Sequence, residues 1–187
     1  MITSVYFVRH AHSDISIRQE DIRPLTAVGK ADSKRVSAVL LGKGISKVYS
    51  SPYLRAVETV SDLANSIGTQ VILVDDFRER CTGGWVDDFF TFARQQWQDF
   101  DYRRGDGESL REVQARNISA LEKVIKASFG ESIAIGTHGT ALGTIINYYD
   151  SSFGYEGFCS IVDKMPYILH FTFDGLRVKS VAEIELP

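Results

Sequence analysis

A chain of 187 residues, 44% hydrophobic and 24% charged, has the composition of one globular domain able to bury about 70% of its unfolded surface, which excludes a disordered or fibrous protein. Its 21 Lys and Arg against 24 Asp and Glu give a net charge of −3 with no basic block, so nucleic acid is not an expected partner. Cys81 and Cys159 fit no metal-ligand spacing and read as free thiols, and no apolar run reaches the length of a signal-peptide core or a membrane span; the expectation is a cytoplasmic protein with no membrane partner.

Val5-Tyr6-Phe7-Val8 is a continuous apolar run that stops at Arg9-His10, the pattern of a strand buried on both faces whose end opens onto a site. Thr26 is a helix cap before Val28, Val36, Val39 and Leu40, and Gly42 and Gly44 end that helix. A strand over Ile45 to Ser50 leads into Ser51-Pro52 and a helix with Leu54, Val57, Leu63, Ala64 and Ile67 on one face, closed by Gly68. Val71 to Val74 is a third strand. Ser109 to Glu112 has the form of a capping box for a helix carrying Leu110, Val113, Asn117, Leu121, Val124 and Ile125. Ile133 to Ile135 forms a fourth strand ending at Gly136-Thr137-His138, and Leu142, Ile145, Ile146 and Tyr149 mark another amphipathic helix. Residues Tyr167 to Phe173 alternate, and Asp174-Gly175 turns them into a strand over Leu176 to Ile184.

Strands alternating with helices predict an α/β fold: a three-layer α/β/α sandwich, with a mostly parallel sheet, an edge hairpin and a small helical lid. The segment from Gly83 to Arg104 breaks the alternation. It places seven of the 21 aromatic residues within 18 positions, which reads equally as a helix packing rings on the core or as a lid shaping a substrate pocket. The expected organisation is a single domain over 1–187 with 83–104 as the lid insertion.

Open parallel sheets bind ligands beyond the carboxyl ends of their strands. Arg9-His10 follows the first strand, Ser51 to Arg55 the second and Thr137-His138-Gly139 the fourth, while Glu79 lies a short loop beyond the third. Two guanidinium groups, two imidazoles and a carboxyl at one sheet edge suit phosphoryl chemistry. Guanidinium matches phosphate bidentately, imidazole is a nucleophile, and a carboxyl carries a proton.

Arg9-His10-Ala11-His12-Ser13 resembles the Arg-His-Gly-x-Ser/Thr signature of the histidine phosphatase superfamily, which includes cofactor-dependent phosphoglycerate mutases and many small phosphatases. Leu25 to Gly29, Ser50 to Thr59, Phe77-Arg78-Glu79, Gly107-Glu108-Ser109 and Thr137-His138-Gly139 resemble further motifs of that family, in its order. Departures are Ala11 for the usual Gly, Ser16 where mutases commonly carry Asn, and Asp32 and Glu58 where Gln is frequent.

The resemblance implies that His10 attacks phosphorus while Arg9, Arg55 and His138 hold the phosphoryl oxygens. It implies that Glu79 protonates the leaving oxygen and then deprotonates water, and that Ser13, Ser16 and Arg80 contact substrate. Two guanidinium charges should keep the His10 ring neutral. No metal or other cofactor is implied.

Mutases resemble one another in a long insertion after the Glu79 position and a C-terminal tail; here 27 residues lie between Glu79 and Gly107. The expected activity is that of a metal-independent phosphomonoesterase acting through a phosphohistidine on a small phosphorylated substrate. A mutase-type phosphotransferase and a non-catalytic phospho-ligand module remain as alternatives. His10-x-His12-x-Asp14 also resembles the opening of the metallo-β-lactamase zinc motif, but Ile15 stands where a further His would follow. His12 reads as a rim or solvent residue, His170 as structural or surface, and Arg103-Arg104 as a substrate contact or a solvated patch.

Overall fold

Which way successive side chains point along the first apolar run decides the layering. In the computed structural model, which describes residues 1–186, that run lies in β1 (Ile2–Arg9), and Val5 to Val8 are all buried. Pro187, the last residue of the expected domain, lies outside the described residues. Val5 and Phe7 join one apolar cluster and Tyr6 and Val8 another, so β1 carries a core on each face.

The sheet is completed by β2 (Ile45–Ser50), β3 (Val71–Leu73), β4 (Ser132–Thr137), β5 (Tyr167–Asp174) and β6 (Arg177–Ile184). Their order is β3-β2-β4-β1-β5-β6. The first four strands pair in parallel, and β5 and β6 add an antiparallel hairpin at the edge. On one face lie α1 (Ala27–Leu40) and α2 (Leu54–Ser66), packing Val36, Leu40, Val60 and Leu63 against Tyr6, Val8 and Val48. On the other lie α4 (Leu110–Ala127) and α5 (Gly139–Tyr149), packing Leu121, Val124, Leu142 and Ile145 against Phe7, Ile133 and Ile135. Each fully buried large side chain of this kind contributes about 1.5–3 kcal/mol. The expected three-layer α/β fold is the observed one.

The capping box is present: the Ser109 hydroxyl accepts from the Glu112 amide, and the Glu112 carboxylate accepts from the Ser109 amide. Three local readings change. Val28 is 65% exposed, and α1 instead buries Gly29, Ser33, Val36, Ser37 and Leu40. Glycine is required at position 29 because a Cβ there would stand 2.1 Å from the His12 carbonyl oxygen. The third strand stops at Leu73, and Ile72 and Leu73 are exposed because β3 is an edge strand. A short helix, α6 (Tyr155–Ile161), has no counterpart in the sequence pattern; Phe158 and Ile161 are its two buried residues, too few to show a period.

The aromatic segment forms α3 (Phe89–Gln98), capped by Asp88, whose carboxylate accepts from the Thr91 amide. Ala93 and Trp97 pack with Leu110 and Phe158 of α6 into a third, smaller cluster ringed by Phe89, Phe100 and Phe153. No helix among the described residues is long and apolar enough to cross a membrane.

Candidate active site

The parallel register sets the site. Arg9 of β1 pairs with Thr137 of β4, and Ser50 of β2 with Gly136. One residue further, the His10 amide donates to the Thr137 carbonyl at 3.0 Å and the Ser51 amide to the Gly136 carbonyl at 2.9 Å. Three strand ends therefore deliver His10, Ser51 and His138 together. A cavity of about 670 Å³ opens at this edge, lined by Arg9, His10, Arg55, Glu79 and Arg80. Arg18, Glu20, Arg23 and Tyr53 add to the lining, with apolar surface from Trp85, Val86, Phe89, Phe158 and Val162.

His10 is buried, and its Nδ1 lies 2.8 Å from the Ala11 carbonyl oxygen. A carbonyl only accepts, so this contact assigns the proton to Nδ1 and leaves the lone pair on Nε2. Burial and then the charge of Arg55 push the His10 pKa well below the ordinary imidazole value, with Arg9 and Arg23 adding to the effect. The Ala11 amide donates to Thr59 Oγ1 at 3.0 Å, tying this loop to α2.

His138 is fully buried and packs its ring 5.3 Å from that of His10, edge to face, without itself lining the cavity. Its Nε2 lies 2.7 Å from Ser51 Oγ, and its Nδ1 has no partner among the described residues. Burial, then Arg55 and His10, lower its pKa well below the usual value.

Arg9 donates through one terminal nitrogen to the carbonyls of Ile161 and Lys164 at 2.6 and 3.0 Å. Burial pulls its pKa to about 10 against the attraction of Glu79 and Asp163, so it is charged at neutral pH. A Cβ at Gly139 would stand 3.1 Å from three atoms of that guanidinium group, which is the physical reason for Gly after His138. Arg55, in the first turn of α2, has its guanidinium 5.2 Å from the centre of the Tyr53 ring and bonds Glu20 through both terminal nitrogens.

Glu79 reaches the N-terminus of α5, where its carboxylate accepts from the amides of Thr140 and Ala141 at 2.9 and 3.1 Å, and from that of Arg80 at 2.8 Å. Amide donors and the helix dipole both favour an anion at this end. The loop carrying Glu79 is clamped from α4. Arg116 donates to the carbonyls of Asp76 and Arg78, each at 2.8 Å, and of Glu79 at 3.3 Å. Glu108 pairs with Arg116 at 2.8 Å and accepts from the Cys81 amide at 2.9 Å. Burial opposes ionisation of Glu108, but the bonds from Arg116 and Cys81 and the charge of Arg78 outweigh it and hold its pKa below the usual carboxylate value. Gly107 lets this segment lie against the backbone of Thr82 and Gly83, where a Cβ would come within 2.8 Å.

Arg80 is buried between the rings of Phe89 and Phe92 and donates to Gln96 Oε1 of α3. Gln96 donates in turn to the carbonyls of Tyr102 and Glu108, which joins the aromatic segment to the Glu79 loop.

Of the residues named from sequence, Arg9, His10, Arg55, Glu79 and Arg80 meet at the cavity, and His138 packs on His10. Ser13 and Ser16 are not among the lining side chains: Ser13 is buried in a bridge to Leu25, and Ser16 donates to Asp14 at 2.7 Å on the exposed loop. Sequence reading missed Arg18, Glu20, Arg23, Tyr53 and the Arg116 clamp. Most of these lie outside the quoted motifs, and Arg18, Glu20 and Arg116 meet partners remote in the chain. His12 is exposed, 3.0 Å from Thr26 Oγ1, and His170 stacks on Tyr6 with ring centres 4.2 Å apart. Among the described residues no three His, Cys, Asp or Glu side chains group as a candidate metal site. Arg103 pairs with Glu112, and Arg104 donates to the Trp85 carbonyl.

The family model of the histidine phosphatase superfamily (branch 1) matches residues 5–161. Over 156 residues the chain is 30% identical to a probable phosphoglycerate mutase GpmB of Serratia proteamaculans, covering 76% of this chain and 73% of that protein. In structure it is similar to YhfR of Bacillus stearothermophilus, with a TM-score of 0.78 at 21% identity over 95% of this chain and 94% of that one. It is also similar to a mutant phosphoserine phosphatase from Entamoeba histolytica in complex with phosphoserine, with a TM-score of 0.76 at 19% identity over 96% of each chain. At these identities the two structural likenesses speak to the fold.

Proposed function

Because the chain belongs to branch 1 of the histidine phosphatase superfamily, we propose that it is a metal-independent phosphomonoesterase acting on a small phosphorylated metabolite through a phosphohistidine. The observation that carries this reading is the neutral His10 ring, its Nδ1 engaged by Ala11, at a cavity walled by arginines. An imidazole with its lone pair on Nε2 attacks phosphorus, and the bond from phosphorus to the ester oxygen breaks. Glu79 enters this step as the carboxylic acid, having taken a proton from solvent as the phosphate dianion bound beside it, and gives that proton to the leaving oxygen. Water then attacks the phosphohistidine, Glu79 takes the proton back, and the P–N bond breaks to release inorganic phosphate. Arg9 and Arg55 carry the charge of the equatorial oxygens through both steps, while His138, packed edge to face on His10, steadies the attacking ring.

The surface of Trp85, Phe89 and Phe158 beside the arginines supports a substrate with an apolar or planar part joined to its phosphate. The free thiols Cys81 and Cys159 suit a reducing, cytoplasmic compartment. A second reading, phosphoryl return to a hydroxy acid as in a mutase, is favoured by Arg80, which lies next to Glu79 and lines the same cavity.

The test is a phosphomonoester panel with and without EDTA, run beside 3-phosphoglycerate with 2,3-bisphosphoglycerate. Phosphate release that EDTA leaves unchanged, together with loss of the phosphohistidine in His10→Ala, is the expected result. Isomerisation faster than release would replace the phosphatase by the mutase. Phosphate binding without any turnover would leave a binding module.

A further inference from the structure

Between β1 and α1 the chain passes over the cavity, and Glu20 of this segment makes a contact that the catalytic reading does not use. Its main-chain carbonyl accepts from one terminal nitrogen of Arg55 at 2.6 Å, and its Oε2 accepts from the other at 2.7 Å. Its Oε1 lies 2.9 Å from a terminal nitrogen of Arg23. One carboxylate thus spans two guanidinium groups, and all three residues line the cavity with His10.

We propose that Glu20 is a built-in occupant of the phosphoryl subsite, whose carboxylate holds the place of an incoming phosphoryl group and is displaced by it. This rests on the reading of the cavity as a phosphoryl site. The carboxylate gives one oxygen to Arg55 and the other to Arg23, and two phosphoryl oxygens can take the same two donors, so they compete for this pair of guanidinium groups. Arg9 and Glu79, by contrast, have engaged their groups with backbone carbonyls and amides.

Exposure shows which partner can leave. The side chain of Arg55 is 3% exposed and that of Arg23 10%, whereas that of Glu20 is 46% exposed. Arg23 is further anchored through Nε to the Ile17 carbonyl at 2.7 Å. The arginines are fixed, and the carboxylate has solvent to rotate into. The loop itself need not open: its ends are held by the Asp14 amide on the Pro24 carbonyl and the Leu54 amide on the Asp21 carbonyl, each at 2.9 Å, and the Glu20 carbonyl can keep Arg55 while the side chain turns. A phosphate dianion brings more charge to the two arginines than a carboxylate does, which drives the exchange forward. After hydrolysis the returning carboxylate helps expel inorganic phosphate. Affinity for any anion at this subsite is reduced by the fraction of molecules in which Glu20 is engaged.

The test is calorimetric titration of the whole protein with inorganic phosphate at pH 7.5, in wild type and Glu20→Gln, beside turnover of a phosphomonoester. Gln keeps a neutral acceptor for Arg55 and removes the charge, so the phosphate dissociation constant should fall roughly tenfold. An unchanged or raised constant would overturn the proposal and make Glu20 a residue that merely orients Arg55; with turnover intact, the phosphatase reading would survive that result. Should Glu20→Gln not fold, Glu20→Ala is read in the same way. If wild type binds phosphate but turns over no ester, the catalytic reading falls and the titrations still decide the role of Glu20. If neither wild type nor variant binds phosphate, both fall.

Discussion

Lowering the pH from 7.5 to 5.5 should destabilise the protein through His10 and His138. Both imidazoles are buried, and burial with the charge of Arg55 keeps each pKa well below 6.5, so both stay neutral in the folded state across this window. In the unfolded chain each takes up a proton near pH 6.5. The sign follows directly: these groups bind more protons unfolded than folded, so stability is complete above 6.5 and is lost as pH falls towards the folded pKa. Integrated from 7.5 to 5.5, the loss is about 1.4 kcal/mol for each ring and about 2.7 kcal/mol for the pair. His170, also lowered by burial but partly exposed, adds a smaller loss of the same sign. Urea unfolding at the two pH values measures the difference, and His138→Gln should reduce it by about 1.4 kcal/mol. Equal stabilities at both pH values, or a variant that loses as much as wild type, would refute the reasoning.

Glu79→Gln should lower kcat/KM, which reads only the steps up to departure of the leaving group, about 10²–10⁴-fold on an alkyl phosphate, and much less on p-nitrophenyl phosphate, whose leaving group needs no proton; equal losses of kcat/KM on the two esters would remove Glu79 as proton donor. Gly29→Ala should cost at least about 1–3 kcal/mol in urea unfolding, since its Cβ would meet the His12 carbonyl oxygen at 2.1 Å. Arg116→Met should release the Glu79 loop and leave Glu108 short of its main partner, costing about 3 kcal/mol. Steady-state kinetics of that variant should show kcat falling more than KM rises, because Arg116 positions Glu79 without lining the cavity.

Residues that end apolar strands were legible from sequence because an abrupt charge after a buried run has few structural explanations. Arg9, His10 and His138 fall in that class, and the register of β1 on β4 brings them together. Glu20 and Arg116 were not legible: Glu20 meets Arg55 across 35 positions of chain, and Arg116 meets the Glu79 carbonyl across 37. Local pattern carries no trace of such pairs. Val28 misled because helical spacing does not say which flank of a narrow apolar stripe meets the sheet, and the close approach of Gly29 to His12 turned it outward. For β3, an apolar run fits a central and an edge strand alike, and pairing on one side only left Ile72 and Leu73 in solvent.

Arg55 reaches the cavity from the helical layer on one face of the sheet, while Glu79 is fastened to α4 and α5 on the other. The pocket is therefore a property of the whole sandwich. An intermediate that has docked one pair of helices but not the other holds half the charges and no working constellation. A fragment that keeps only one flank lacks either Arg55 or the elements that fasten Glu79.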